Sequence, residues 1–291
     1  MKIVDFHNHF AGPGLRLATR DRIPDSQRAF WEAVNSRLAS VEALLASLEP
    51  DGVSARVISA PLEFLDDGID VRRINDAMAA TVARASDRLH GLATVDAYAG
   101  EPAARELERA VRTLGLRGLF MESAQGGLLP DAPEARPALA AAASLGVPVF
   151  LHPVPDAELD ARFRRLGRMG VRLTRSTINS AALYALIEGG VFEALPKLRV
   201  VVTALALGGV LLADRVPDGV HVDTTGMKTA AIRAAIDVLG ADHVVLGTDW
   251  PVVQEKGLPA RLEAIFDSWA LETPARHAIA GGNALELLGA A

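Results

Sequence analysis

The sequence predicts an α/β protein with the (β/α)8 TIM-barrel fold, with parallel strands and an active site at the C-terminal mouth of the barrel. Short β-rich apolar runs alternate with longer alanine- and leucine-rich stretches of helical period, and this alternation predicts βαβ units and a parallel sheet. The length of 291 residues is ordinary for one such barrel. The first apolar run is not followed by a glycine-rich phosphate loop, which disfavours an open doubly wound sheet.

The apolar runs give eight candidate strands, and amphipathic stretches between them give the helices. The strands are Lys2–His9, Ala55–Ala60, Gly91–Asp96, Gly118–Glu122, Val147–His152, Arg199–Thr203, Val220–Thr224 and His243–Asp249. The main helical stretches are Pro102–Leu114, Glu134–Leu145, Ser180–Leu195, Thr229–Leu239, Leu258–Trp269 and Pro274–Leu288. Residues 1–291 are predicted to form a single domain, with residues 10–40 and 153–179 as loops over the mouth.

Composition restricts the function. Half of the residues are hydrophobic and 23% are charged, which predicts a large core. The formal net charge is -6 and there is no basic tract, so nucleic acid and anionic membranes are poor partners. The chain opens without the apolar stretch of a signal peptide and has no apolar run long enough to span a bilayer, so we expect a cytoplasmic protein. With no cysteine, a metal ion must be held by imidazole, carboxylate or water.

The segment Asp5-Phe6-His7-Asn8-His9 carries the sharpest chemical signal. Side chains alternate along a strand, so His7 and His9 point to the same side, which in a barrel is the interior. Two imidazoles in a dry interior are costly unless they are paired or bind something. A metal site is favoured, and a hydrogen-bonded histidine pair is the alternative.

Two further strand ends carry polar residues, His152 and Asp249. A carboxylate that closes an apolar strand is expected to be paired or to bind a ligand, although it can also cap the following turn. Together with His7 and His9, these residues would give three nitrogens and one oxygen around one divalent ion. That donor set favours Zn²⁺ and tolerates Mn²⁺, Fe²⁺ or Co²⁺. Asp249 is also the predicted catalytic acid/base group.

The sequence resembles the amidohydrolase superfamily, in particular its amidohydrolase-2, aminocarboxymuconate-semialdehyde decarboxylase-like branch. The resemblance spans nearly the whole chain and rests on motifs in strand order, namely His7-x-His9, residues 149–153, residues 196–201, residues 247–251 and Gly282-Asn283-Ala284. It implies a mononuclear metal barrel with ligands at His7, His9, His152 and Asp249. It also implies hydrolysis of lactones or amides, decarboxylation, or hydration, with substrates that are often carboxylated and a barrel that often forms dimers.

One departure from the family pattern affects which reaction we expect. The family usually carries His-x-Gly-Gly after its sixth strand, and this sequence reads Ala206-Leu207-Gly208-Gly209. Because decarboxylation by the family route depends more on that histidine, we expect a metal-dependent hydrolase of a small carboxylated lactone, ester or amide. A non-oxidative decarboxylase of an aromatic or muconate-like acid is the first alternative. A barrel that binds metal without turnover is the second.

Several other residues are candidates for substrate binding. Arg172 and Arg175 lie beyond Gly170, where they can clamp a carboxylate, and Arg16, Arg20 and Arg22 are weaker candidates for the same role. Glu122 is expected to line the pocket, and Trp250 to form a wall beside the metal. The arginines from 162 to 168 are read as a solvated helix face. The expected partner is a small carboxylated substrate, and the sequence does not decide whether the protein forms a homodimer.

Overall fold

Parallel strands alternate with helices along the chain in the computed structural model, which describes residues 1–13, 25–62, 65, 68, 70–254 and 256–290. The candidates Arg16, Arg20 and Arg22 lie outside these residues. The strands are β1 (Val4–His9), β2 (Ala55–Ser59), β3 (Leu89–Gly91), β4 (Ala93–Thr94), β5 (Leu119–Glu122), β6 (Val149–His152), β7 (Val200–Val202), β8 (Val220–Asp223) and β9 (Val244–Val245).

The helices fill the connections between these strands. They are α1 (Asp25–Leu38), α2 (Val41–Asp51), α3 (Val71–Val82), α4 (Glu101–Arg112), α5 (Arg136–Leu145), α6 (Ala157–Phe163), α7 (Arg168–Glu188), α8 (Val191–Ala194), α9 (Gly209–Leu212), α10 (Thr229–Leu239), α11 (Leu258–Ser268), α12 (Thr273–His277) and α13 (Asn283–Leu287). A 3-10 turn, Thr203–Gly208, follows β7. Among the described residues, no helix combines the length and apolar character needed to cross a membrane.

The strands pair in chain order and all of the pairs are parallel. They form one group of three, β1-β2-β3, and one group of six, β4 to β9. Only Leu92 separates β3 from β4, so the two are segments of the single strand predicted at residues 91–96. Backbone hydrogen bonds join β1 to residues 246–250. The N–H groups of residues 6 and 9 donate to the carbonyls of residues 246 and 250, at 2.7 and 2.8 Å. The N–H of residue 249 donates to the carbonyl of residue 7 at 2.9 Å. These bonds connect the two ends of the strand order and complete the (β/α)8 ring, which confirms the predicted fold class.

The predicted loops over the mouth are wrong in part, because much of both segments is helical. Residues 25–38 form α1, and α6 and α7 occupy most of residues 153–179. Arg172 and Arg175, expected in a loop beyond Gly170, lie together with Gly170 inside α7. A Cβ at Gly170 would sit 2.3 Å from the carbonyl oxygen of Phe163. The glycine therefore permits close packing of α7 on the end of α6 and does not end a helix.

An apolar layer fills the barrel interior directly below the mouth. Phe6, Phe120 and Phe150 are fully buried and pack edge to face, with Phe6 and Phe150 centroids 5.5 Å apart. The ring of His7 contacts Phe150 with a centroid distance of 4.9 Å. Since this layer closes the barrel from below, polar side chains at the strand ends are reached only through the mouth.

Candidate active site

Three histidines meet above the aromatic layer. His7 and His9 end β1, and His152 ends β6. One ring nitrogen of each lies within 4.8 Å of the others, and all three residues are at most 5% exposed. The pairing of β1 with β2 is irregular just before these residues, since its register shifts between Asp5 and Asn8. The structure brings together the three histidines that the sequence singled out, from strands far apart in the chain.

Asp249 lies beside this cluster on the segment after β9. Its Oδ1 is 3.4 Å from Nε2 of His9 and 3.8 Å from Nε2 of His7. Its backbone has φ of +69°, a left-handed conformation that non-glycine residues adopt at a cost and that is common at functional sites. Burial opposes ionisation of Asp249, but the hydrogen bond from His9 and the charges of His7 and His9 lower the pKa of its carboxyl below its usual value. The carboxylate side chain is 26% exposed and faces the cavity.

Asp223, at the end of β8, belongs to the site although sequence reasoning did not select it. Its Oδ2 is 2.6 Å from Nδ1 of His7, and its Oδ1 accepts hydrogen bonds from the backbone N–H groups of Ala204 and Thr225. Burial lowers the pKa of His7, but the charge and hydrogen bond of Asp223, together with the charges of Asp249 and Asp5, outweigh burial and raise it. The signal that could have found Asp223 is the one used for Asp249, namely a carboxylate that closes an apolar strand.

His152 provides the test of whether these residues fit a metal ion. Its Nδ1 is buried and has no hydrogen-bond partner among the described residues. Burial, together with the charges of His9 and His7, holds its pKa well below the usual value, so the ring is neutral and keeps a free lone pair near neutral pH. Three imidazole nitrogens with a carboxylate beside them form a donor set that divalent metals accept. The residues therefore fit a divalent ion.

A cavity of about 330 Å³ opens over the cluster. Asp249 and the three histidines form its floor, and the side chains around its rim are Trp31, Val171, Arg172, Arg175, Thr203, Ala204, Thr225, Val252 and Val253. Arg175 donates from Nη1 to the carbonyl of Pro153 at 2.9 Å, which holds it next to His152. Arg172 is exposed one turn of α7 earlier. The two arginines predicted to clamp a carboxylate thus lie on the cavity wall.

Two other predicted pocket residues do not line this cavity, which corrects the sequence-based prediction. Trp250 is 2% exposed and packs in the outer core, with the Arg56 guanidinium 5.3 Å from its ring. Glu122 lies in register with His152, and its carbonyl accepts a hydrogen bond from Tyr98. Asp249 faces the cavity, whereas the next residue, Trp250, is packed on the outer side against Arg56.

The turn after β7 corrects a second expectation. Ala206 is fully buried in the core, and its carbonyl accepts a hydrogen bond from the hydroxyl of Ser180. Among the described side chains of this turn, those that line the cavity belong to Thr203 and Ala204, and the backbone φ of Ala204 is +51°. No histidine occurs between residues 200 and 213, and Asp249 is the carboxylate that the described cavity places beside the three histidines.

The fold and the site define a barrel enzyme with a metal-binding cluster at the mouth of its barrel. The chain belongs to the amidohydrolase family, since the family model described as "Amidohydrolase" matches residues 4–290. It is 26% identical over 288 residues to a gamma-resorcylate decarboxylase of Rhizobium radiobacter, covering 85% of this chain and 87% of that one. It is also 26% identical over 292 residues to a 2-amino-3-carboxymuconate-6-semialdehyde decarboxylase of Dictyostelium discoideum, covering 89% and 79%.

Solved structures give the same fold. A dihydroxybenzoic acid decarboxylase from Polaromonas sp. JS666, with bound manganese and the inhibitor 2-nitroresorcinol, superposes with a TM-score of 0.76 at 22% identity and covers 99% of this chain and 97% of that one. The expectation of a hydrolase is wrong, because the similar proteins are decarboxylases. The expectation of a hydrolase rested on the absence of the family histidine from position 206, and Ala206 at that position does not line the cavity.

Proposed function

We propose that the protein is a metal-dependent, non-oxidative decarboxylase of a small aromatic carboxylic acid. The observation that carries this proposal is the placement of Asp249 beside three buried histidines, in a cavity rimmed by Arg172 and Arg175. The similarity to decarboxylases over at least 85% of the chain also supports this proposal. A cavity of about 330 Å³ suits a ring that carries one carboxylate and a few small substituents.

His7, His9 and His152 would hold the divalent ion, with Asp249 next to it. Manganese is the ion in the related dihydroxybenzoic acid decarboxylase, and nitrogen and oxygen donors bind it too, although their intrinsic affinity for zinc is higher. When bound, the ion supplies positive charge that attracts and polarises an anionic substrate. Because the related decarboxylase holds manganese, manganese is the ion to load first.

The protein's own residues carry the remaining steps. Arg175 orients the substrate carboxylate at the mouth, because its guanidinium is fixed by Pro153. The bond between the ring and the carboxylate breaks, its electron pair stays on the ring carbon, and carbon dioxide leaves. A proton from the Asp249 carboxyl then forms the new C–H bond. Before this transfer the Asp249 carboxylate must take up a proton: an anionic substrate nearby raises its pKa, and the proton reaches its 26% exposed side chain from solvent through the cavity.

The test uses manganese-loaded protein and 2,6-dihydroxybenzoate in deuterium oxide. We expect carbon dioxide and resorcinol in equal amounts, with one deuterium at the carbon that lost the carboxylate. Asp249→Asn should lower kcat by about 10²- to 10⁴-fold, the usual contribution of a general acid. Asp87→Asn, an exposed carboxylate on the surface, is the matched control and should keep full activity.

Two results would overturn the proposal. One is the absence of carbon dioxide from 2,6-dihydroxybenzoate and from a panel of hydroxylated benzoates, although manganese is bound. The other is turnover that Asp249→Asn leaves unchanged, since the proton would then come from elsewhere.

A further inference from the structure

A second cavity, of about 270 Å³, lies outside the barrel wall between that wall and helices α10 and α11. Ile232 of α10 and Leu262, Ile265 and Phe266 of α11 form its outer side, and residues 246–248 form its inner side. The wall is thin at Gly247, where an added Cβ would sit 2.8 Å from the Cβ of His7. The backbone of Gly247 therefore separates the histidine cluster from the second cavity.

The two cavities adjoin above this wall. Arg172, Gly226 and Val253 line both of them. Gly226 brings no side chain to the boundary, and a Cβ built on it would have no nearby heavy atom beyond its chain neighbours within 4 Å. A molecule bound over the histidines can therefore extend past Gly226 into the second cavity.

The buried side chains of the second cavity are mainly apolar. Ile232, Leu262 and Phe266 are buried, and they present only carbon atoms. Two of the hydroxyls that line it are engaged, since Thr224 Oγ1 bonds the backbone of Gly247 and Thr248 Oγ1 donates to Asp5 at 2.6 Å. The polar side chains of Arg172, Thr229 and Arg261 also line the cavity, and these three residues are exposed. A polar group entering the buried part of this space would lose its bonds to water without replacement, whereas an apolar group would not.

We infer that the substrate carries an apolar substituent that occupies this second cavity, an alkyl chain of several carbons or a second ring. Cavities of about 150 Å³ lined by leucine, isoleucine and phenylalanine hold benzene, and this one is larger. The inference rests on the proposed function and narrows its substrate class from small aromatic acids to aromatic acids with an apolar extension.

The experiment compares 2,6-dihydroxybenzoate with analogues that carry a propyl or pentyl chain at ring carbon 3 or 4, using manganese-loaded protein. We expect kcat/KM to be at least about tenfold higher for one of the pentyl isomers than for the unsubstituted acid, because each buried methylene contributes tenfold or more at a fitted site. Ile265→Phe fills the cavity and should reduce this ratio by at least about tenfold. Ala264→Phe adds the same bulk to an exposed position of α11 and should leave the ratio unchanged.

Calorimetric binding of the same acids separates this inference from the proposed function. Tighter binding of a pentyl acid, weakened by Ile265→Phe or Ile232→Phe, would support the second cavity even if no acid were decarboxylated. Turnover of the unsubstituted acid with no gain in binding or kcat/KM for any alkylated one would overturn the inference and leave the decarboxylase in place.

Discussion

The contact between His7 and Asp223 fixes one ligand before any metal binds. Nδ1 of His7 and Oδ2 of Asp223 are 2.6 Å apart, and the other carboxylate oxygen is held by two backbone N–H groups. Nδ1 is thereby engaged, so Nε2 is the nitrogen left to face His9 and Asp249. Carboxylates placed in this way orient metal-binding histidines and increase their basicity.

Replacing this carboxylate tests its role at the scale of a single residue. Asp223→Asn keeps the shape and an oxygen for the backbone N–H groups, but it removes the charge beside His7. We expect manganese affinity to fall by about 10- to 100-fold, measured by competition with a chelator. Asp237→Asn, a mostly exposed carboxylate of α10, is the control. Equal affinities for the two variants would show that Asp223 does not position the ligand.

Sequence reasoning at this scale found the residues whose chemistry is unusual for their place. His7, His9, His152 and Asp249 are polar groups at the ends of apolar strands, and the structure brings them together. It failed for two residues whose side chains lie in the core. Trp250 was expected to form a wall beside the metal, and Ala206 was taken as the position of the family histidine, but both are buried and neither lines the cavity. The backbone nearby has left-handed φ values at Asp249, Ala204 and Ala206, and the sequence does not show such values in any readable pattern.

Among the elements, β1 is held by a buried polar network on its outer side. Arg56 of β2 is 1% exposed and donates to Asp5, to Asn8 at 2.6 Å and to Asp51 at the end of α2. Asp5 also accepts hydrogen bonds from the backbone and hydroxyl of Thr248. The network therefore joins three elements at the point where the barrel closes, next to the residues that carry His7, His9 and Asp249.

Replacing Arg56, the cation of this network, should destabilise the folded protein strongly. Arg56→Met leaves Asp5 and Asp51 buried without their partner, and breaking a buried pair in this way costs about 3–5 kcal/mol. Urea unfolding would measure the loss in the free energy of unfolding. Arg84→Met is the comparison, because Arg84 pairs with Glu42 at the surface, and such pairs contribute at most about 1 kcal/mol. Similar losses for both variants would contradict a structural role for the network.

Helices with a clear apolar face were predicted well, and those with mixed faces were not. The predicted stretch Thr229–Leu239 coincides with α10. The first half of α7 was missed, since it is rich in arginine, contains Gly170 and exposes Met169 and Val171. Its helical form depends on packing against α6, a tertiary contact that overrides local preference.

For the whole molecule, the alternation of strands and helices was sufficient to predict a barrel, because few other folds accommodate eight parallel units. The second cavity was beyond prediction. Ile232 and Ile265 read in the sequence as ordinary members of amphipathic helices, and nothing in their spacing shows that the helices leave a space between them and the barrel wall. The volume between two layers depends on how all of their side chains pack, which no short segment determines.

The distribution of the ligands along the chain leads to a prediction about global stability. His7 and His9 lie near the start of the chain, His152 lies near its middle and Asp249 near its end, so only the folded barrel assembles them. An ion that binds the folded chain alone stabilises it by about 2.7 kcal/mol at a concentration 100 times its Kd. Protein stripped with EDTA should therefore gain roughly 4 °C in Tm when manganese is added at that excess.

The matched variants separate this site from adventitious binding. His152→Ala removes a buried ligand and should lose most of the manganese-dependent gain, whatever its own Tm, because the comparison is made within each variant. His277→Ala removes an exposed imidazole at the end of α12 and should keep the full gain. If both variants responded to manganese as the parent does, the ion would be binding elsewhere on the folded chain. The three histidines would then be a buried hydrogen-bonded cluster, and the decarboxylase chemistry proposed for this barrel would have to proceed from Asp249 and Arg175 alone.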